Sequence, residues 1–536
     1  MSSSKKKIIL AGIDGAPYDL IVKWANEGKL PNIKRLLDGS GNGVLKSLLD
    51  ITPPAWSSIF TGKNAGKHGI FDFKRHKPGS YDFDQINSSM RYSEDVWEML
   101  SKHGFRVGVL NAPITFPVRP VNGFLVSGFL TPTGVVKYSY PESIQNELKT
   151  KVPGFKPSSS SELQLQLNKD SYVKSISDQL DNLRKACNHL IKKESLDFFG
   201  VFVSESDFVQ HWFWGDMLQG ERGHPNKYSD VILNTYKGVD QLIGDLQLEM
   251  DEDTYLMLVS DHGGTHLRMF FHTNYFLHSI GLLNFKSTLL STVRQIFTDR
   301  GVSGRIFEFM MRKNVFALHY LMRPLILGVS DIDWQKTFAY SFGYGQIYLN
   351  VKGREPSGAV PVEKIDQVKK YLVQKLRQVT DPETNASPLE AIYTKEELFS
   401  GPRSDYAPDI QLVMKEGYEA FSWSKIADRV IGESKERSGT HNTRGIIALE
   451  GAGVVKGNLD GASVLDIAPT ILAILGIPIP VDMDGQVIAQ AFTQEYLNSN
   501  PIKYGDTSKR EGYSEYELSH EEQEKIEENL RSLGYI

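Results

Sequence analysis

The chain alternates short, continuous apolar runs with longer stretches of helical spacing. Residues 8–13, 104–110, 196–203 and 255–259 read as strands buried on both faces, and 18–37 and 172–193 as amphipathic helices. Strands separated by helices in this way predict an α/β fold, a mostly parallel sheet with helices on both faces. Residues 339–351, 409–413 and 445–449 read as further strands, with helices over 362–376 and 466–475. The stretch 266–335 is different: rich in Phe, Met, Leu and Arg, with helical spacing and no clear buried strand, it reads as an inserted lid. The expected organisation is a first core part over 1–265, a helical lid over 266–335, a second core part over 336–490, and a C-terminal tail over 491–536. In that tail Ser519 and Glu522 form a capping box, Ile526, Leu530 and Leu533 share one face, and Gly534 marks the stop.

Composition narrows the picture a little. At 536 residues, 40% apolar and 23% charged, the chain is ordinary globular protein of two or three domain-sized units. A net charge of −5 gives no global attraction to nucleic acid or anionic lipid, so recognition of phosphate is expected to be local. The single cysteine, Cys187, excludes an intrachain disulfide framework and a cysteine-rich zinc site, and fits a cytoplasmic setting. Residues 8–13 are too short for the apolar region of a signal peptide, and no run approaches the ~18–20 apolar residues of a membrane span.

Chemistry gathers at the strand ends. In open α/β sheets, ligands bind beyond the carboxyl ends of the strands. Asp14 follows the first strand, Asp207 and His211 follow the strand at 196–203, and Asp261-His262 follow the strand at 255–259. His441 lies in Ser438-Gly-Thr-His-Asn442, just before another strand. Three aspartates and three histidines are a ligand set suited to two zinc-class divalent ions. Thr52 precedes Pro53-Pro54 and a helical run to Phe60, so it is expected to cap that helix, its oxygen beside the positive end of the dipole. A threonine hydroxyl is a poor nucleophile until a metal lowers its pKa, so the six ligands and Thr52 need one another. Each also has a simpler reading: a turn or cap for Asp14 and Thr52, a helix-surface pair for Asp207 and His211.

Together these segments resemble the type I phosphodiesterase/nucleotide pyrophosphatase branch of the alkaline phosphatase superfamily. The resemblance rests on Gly12-Ile-Asp-Gly15, Thr52-Pro-Pro-Ala-Trp56, Thr61 to Gly69, Asp207-x-x-x-His211, Ser260-Asp-His-Gly-Gly264, Ser438-Gly-Thr-His441, Asp466-Ile-Ala-Pro-Thr470 and Asp482-Met-Asp-Gly485. It implies an alkaline-phosphatase-like fold, with one zinc held by Asp207, His211 and His441. A second would be held by Asp14, Asp261 and His262, with Thr52 as its further ligand and as the nucleophile. The implied activity is hydrolysis of phosphodiester or nucleotide pyrophosphate bonds through a phospho-threonine. A phosphomonoesterase or phosphotransferase on the same site, and a non-catalytic binder of phosphate ligands or membrane surface, are the alternatives.

One departure bears on substrate. The family carries an Asn a few residues after His-Gly-Ile, whereas His68-Gly-Ile70 is followed here by Phe71-Asp-Phe73. Asn111, at the end of its strand, is the first candidate to replace it, with Lys63 and Arg75 behind. His68 itself is expected to be structural. The C-x-P-x-R signature of type I sulfatases is absent. The expected substrate is a small phosphate ester rather than a nucleic-acid polymer. The basic, apolar stretch 294–328 reads as a lid packed on the core in preference to a membrane-surface segment.

Overall fold

A computed structural model describes residues 5–135, 137–157, 168–193, 195–289, 291, 294, 329–422, 429–434, 437–508, 510 and 514–533, the last three without side chains. Its centre is a nine-stranded sheet in the order Gly457–Asn458, Gly41–Lys46, Arg444–Glu450, Thr254–Val259, Lys7–Ile13, Phe198–Val203, Val107–Ala112, Gly123–Ser127, Ser139–Tyr140. The five strands from Thr254–Val259 to Gly123–Ser127 run parallel. Three of them, FFGVFV, TYLMLV and VGVLNA, are buried at every position, as strands covered on both faces must be. Helices Lys169–Ile191, Val231–Leu248 and Pro31–Gly39 pack as one group, and Thr52–Thr61, Val96–Lys102 and Ile467–Ile474 as another.

Register fixes where the chemistry emerges. Ile13 pairs with Val203 and Gly12 with Val259, so three neighbouring strands end level. Asp14, Ser204 and Ser260 therefore leave the sheet at one edge.

Several expected elements differ in detail. The helix expected over 18–37 is two, Tyr18–Asn26 and Pro31–Gly39. Gly28 between them takes a left-handed φ of 75°, and Pro31 opens the second as its first residue. The strand expected over 339–351 is a hairpin of Ala339–Ser341 and Gln346–Leu349, turned at Gly343 and Gly345 with φ of 71° and 66°. Arg444–Glu450 joins the main sheet antiparallel to both neighbours.

The stretch 266–335 is not free of buried strands: Met269–His272 pairs with Tyr418–Phe421 and Ile431–Glu433. At four residues, Met-Phe-Phe-His, it is too short to stand out from the helical spacing that follows. Apolar residues from Met269 to Ile431 form a second core, which takes in the four-stranded sheet of Ala339–Ser341, Gln346–Leu349, Ile410–Met414 and Leu389–Thr394. The chain thus leaves the main sheet after Val259 and returns at Arg444. Of the basic stretch 294–328, only Arg294, paired with Asp331, is within the described residues. The C-terminal helix His520–Leu533 opens on the expected capping box, and Ile526 and Leu530 are buried. The Leu533 side chain and Gly534 lie outside the described residues. No described helix is long and apolar enough to cross a membrane.

Candidate active site

Asp14 is buried at the end of the first strand, where the indole N–H of Trp56 donates to its Oδ2 at 3.2 Å. The following residue must be glycine: Gly15 has a φ of 66°, and a Cβ there would stand 2.5 Å from Asp207 Oδ1. Asp207 and His211 sit one turn apart on the helix Glu205–Glu221, Asp207 Oδ2 lying 3.0 Å from His211 Nε2. Both are buried, so the pair is not a surface one.

The histidines after the sheet are joined by a small ribbon. Gly263–His266 pairs antiparallel with Gly439–Asn442, placing His441 opposite Gly264. The His262 and His441 rings stack with centroids 3.9 Å apart. His441 Nδ1 donates to the Asp50 carbonyl at 2.7 Å and His262 Nδ1 to the Gly263 carbonyl at 3.0 Å. A carbonyl on Nδ1 leaves Nε2 as the coordinating atom, the usual arrangement of metal-binding imidazoles. His262 Nε2 faces Asp14 Oδ1 at 3.5 Å, Asp261 Oδ2 at 3.3 Å and Thr52 Oγ1 at 3.2 Å. His441 Nε2 faces Asp207 Oδ1 at 3.4 Å and His211 Nε2 at 3.2 Å.

Thr52 is not the helix cap. It is the first residue of the helix Thr52–Thr61, the cap position belongs to Ile51, and Thr52 makes no capping hydrogen bond. The prolines explain this. Pro53 and Pro54 offer no N–H, and the Ala55 N–H already donates to the Ile51 carbonyl at 3.1 Å. The hydroxyl is left to the site.

All six ligand candidates and Thr52 thus converge. Asp207, His211 and His441 form one group of potential ligand atoms lying within 4.8 Å of one another. Asp14, Asp207 and His262 form another, so Asp207 stands between the two. Asp261 borders the second through its contact with His262, its Oδ1 accepting from the Gly15 N–H at 3.2 Å. Burial and the mutual repulsion of the carboxylates push Asp14 and Asp261 well above the usual range. Burial acts on Asp207 in the same sense, but His211 and His441 hold it well below. Burial and His441 lower His262 to about 3, while Asp207 overcomes burial to raise His441 to about 9.

These residues fit divalent cations. Asp14 Oδ1 and Asp261 Oδ2 are buried without a hydrogen-bond partner. His211 and His441 present Nε2 to Nε2, a pairing in which one imidazole proton cannot satisfy both rings and the carboxylate between them. Positive charge at these points removes the repulsion and gives each orphaned oxygen a partner.

Asn111 ends its strand at this sheet edge with a φ of 62°, but its amide donates to the Phe202 carbonyl at 2.9 Å. Lys63 pairs with Asp482 and Ser508, and Arg75 with Tyr92 and Glu515. None of the three touches the ligand set in the contacts of the described residues. His68 is buried and bonded to Ser58 and to the Ile70 N–H.

Sequence reasoning missed the layer behind His211. Arg437 Nη2 lies 2.8 Å from His211 Nδ1 and is held by Glu419 through contacts of 3.0 and 2.9 Å. Glu419 also accepts from Thr440 Oγ1 at 2.6 Å. Arg437 stands four residues before His441 and was within reach of motif reading; Glu419 belongs to the second core and carries no local signal.

No curated protein sequence matches. Among solved structures, phosphonoacetate hydrolase from Sinorhizobium meliloti 1021, in complex with phosphonoacetate, is 13% identical with a TM-score of 0.55. The likeness covers 87% of this chain and 94% of that one. A variant of the alkaline phosphatase PafA is 15% identical with a TM-score of 0.52, over 92% of this chain and 100% of that one. At such identities the likeness establishes the fold. The family model described as type I phosphodiesterase / nucleotide pyrophosphatase matches residues 8–445, which span every strand end and ligand candidate described above. The chain therefore belongs to the type I phosphodiesterase/nucleotide pyrophosphatase family, and is an enzyme of the alkaline phosphatase superfamily.

Proposed function

We propose that the protein hydrolyses phosphodiester or nucleotide pyrophosphate bonds with Thr52 as nucleophile at a site holding two divalent ions, zinc by ligand type. Asp207, His211 and His441 would hold one ion, and Asp14, Asp261 and His262 the other. Bound there, such ions acidify an alcohol and offset charge on the phosphoryl oxygens. The observation that carries this reading is the Thr52 hydroxyl, freed from capping and placed 3.2 Å from His262 Nε2 within that ligand set.

The chain's own residues then define the reaction. Thr52 Oγ1 loses its proton and forms a bond to phosphorus as one ester oxygen on the opposite side departs with its electron pair and takes up a proton, leaving as the alcohol. Water attacks the same phosphorus in a second displacement, its hydroxyl joining phosphorus and its proton returning to the threonine oxygen, so that the phosphate monoester carrying the remaining organic arm is released. Trp56 and Gly15 fix Asp14 and Asp261, and the Asp50 and Gly263 carbonyls fix the two stacked imidazoles. Turnover of bis(4-nitrophenyl) phosphate against 4-nitrophenyl phosphate, with and without chelator, tests the proposal. Faster diester cleavage that chelator abolishes supports it; no cleavage of either ester by metal-loaded protein refutes it.

A further inference from the structure

Three motifs noted in the sequence contribute no side chain to the ligand set: Thr61 to Gly69, Asp466-Ile-Ala-Pro-Thr470 and Asp482-Met-Asp-Gly485. They meet at the far end of the helix that begins with Thr52. Gly62 closes that helix, and its carbonyl accepts from the Asp484 and Gly485 N–H groups at 2.9 and 3.1 Å. Asp484 then grips the loop beyond. Its Oδ2 accepts from the backbone and side-chain N–H groups of Asn64, both at 2.8 Å, and its Oδ1 from Lys67 Nζ at 2.6 Å. Lys67 donates as well to the Asp482 carbonyl at 2.9 Å, and the buried Lys63 pairs with the Asp482 carboxylate. Asp466 Oδ1 and Thr470 Oγ1 hold the peptide that follows, accepting from the Gln486 and Ile488 N–H groups at 2.8 and 3.0 Å. The helix Ile467–Ile474 packs on Thr52–Thr61.

The two ends of the Thr52 helix are held differently. At the Thr52 end there is no capping bond, and Pro53 and Pro54 have no N–H to give. Trp56 ties the first turn to Asp14. At the other end, backbone bonds to Gly62 and the ion pairs of Lys63 and Lys67 converge. Bonds between charged partners fix geometry as well as adding strength. The helix has 10 residues, all buried, and at about 1.5 Å each they span about 15 Å. A rigid element of this kind carries a shift at one end to the other. A misplacement of about 1 Å at the reacting atom can cost on the order of 100-fold in rate.

We propose that Asp484 and Lys67 are positioning residues: they fix the far end of this helix and thereby set where the Thr52 hydroxyl stands against phosphorus. Their role rests on the reading of Thr52 as nucleophile and supplies what holds it in line. In the contacts of the described residues neither side chain touches the ligand set. Their loss therefore shows in kcat, with KM and metal binding left alone.

The test is steady-state cleavage of bis(4-nitrophenyl) phosphate by the zinc-loaded variants Asp484→Ala, Asp484→Asn and Lys67→Met, each alone and combined with Thr52→Ala. Zinc affinity is read by calorimetry and stability by urea unfolding. Asp484→Ala is expected to lower kcat by about 10- to 100-fold, with KM and the zinc Kd within about twofold of wild type. Asp484→Asn, which keeps an acceptor for the Asn64 N–H, recovers most of that loss. Lys67→Met falls in the same way, and decides the question if Asp484→Ala does not fold. In the Thr52→Ala background these changes lower the residual rate no further, since they act through that hydroxyl. A kcat within about threefold of wild type in Asp484→Ala and Lys67→Met overturns the assignment, whatever the loss of urea stability. An equal loss in the Thr52→Ala background, or a weakened zinc Kd, overturns it too. Thr52→Ala that cleaves as fast as wild type overturns the Thr52 reading itself.

Discussion

The Thr52 hydroxyl stands 3.2 Å from His262 Nε2, although the two residues are 210 positions apart and belong to different elements. One opens a helix that follows an antiparallel edge region; the other ends a parallel strand. Only the level ending of the central strands and the two prolines after Thr52 bring them face to face.

Replacing the nucleophile gives the first expectation. Thr52→Ala lowers kcat on an aryl phosphodiester by about 1,000-fold or more, whereas Thr52→Ser stays within about 100-fold of wild type. Because the hydroxyl caps nothing, unfolding of the alanine variant in urea should stay close to wild type. A large stability loss with modest kinetic change would assign Thr52 to the fold instead.

The crowding of carboxylates makes a prediction whose sign reverses with metal. In chelator, Asp14→Asn is expected to raise the melting temperature, since it removes a buried charge repelled by Asp261 and Asp207. With metal present the same variant binds the ions at least about tenfold more weakly and loses the ligand-linked rise in melting temperature. Scanning calorimetry with and without zinc reads both arms.

Much of this site was legible in the sequence, for reasons particular to each residue. Asp14 directly follows an apolar strand and Asp261 stands one residue beyond another, and the strand-end rule places both at one edge. His441 was legible as a motif but not as a position, because the ribbon pairing it opposite Gly264 is only four residues long. Thr52 was expected to cap its helix, and the shift by one residue follows from what Pro53 and Pro54 cannot donate. Glu419 was invisible: its strand lies in the second core, and nothing near it in sequence indicates that it reaches Arg437 behind His211. Of that core, the strands at 339–351 and 409–413 and the helix at 362–376 were legible, but Met269–His272 escaped reading, since it is short and precedes a long stretch of helical spacing.

The Arg437–Glu419 pair offers a third test. Both side chains are under 9% exposed, so Glu419→Ala strands a buried guanidinium and should destabilise the protein by about 3–5 kcal/mol. Glu419→Gln, which keeps an acceptor for Arg437 and Thr440, should lose less. Urea denaturation midpoints of the two variants check the order.

His68 governs a part of the acid response. Burial, reinforced by Arg91 and Lys63, lowers its pKa from the ordinary 6.5 to about 3. Below 6.5 the unfolded chain takes up a proton that the folded protein refuses, so this group's stability is present above that pH and lost as pH falls toward 3. Between pH 6.5 and pH 4 the wild type should therefore lose stability faster than His68→Gln, as read by urea unfolding at fixed ionic strength.

The central claim is that Asp14, Asp207, His211, Asp261, His262 and His441 cradle metal around one alcohol. A crystal structure of the zinc-loaded protein with vanadate tests it most directly. The expected result is two metal peaks contacted by these six side chains, with vanadium bonded to Thr52 Oγ1. Vanadate bound elsewhere, or metal absent from these side chains in crystals that contain it, would contradict the account.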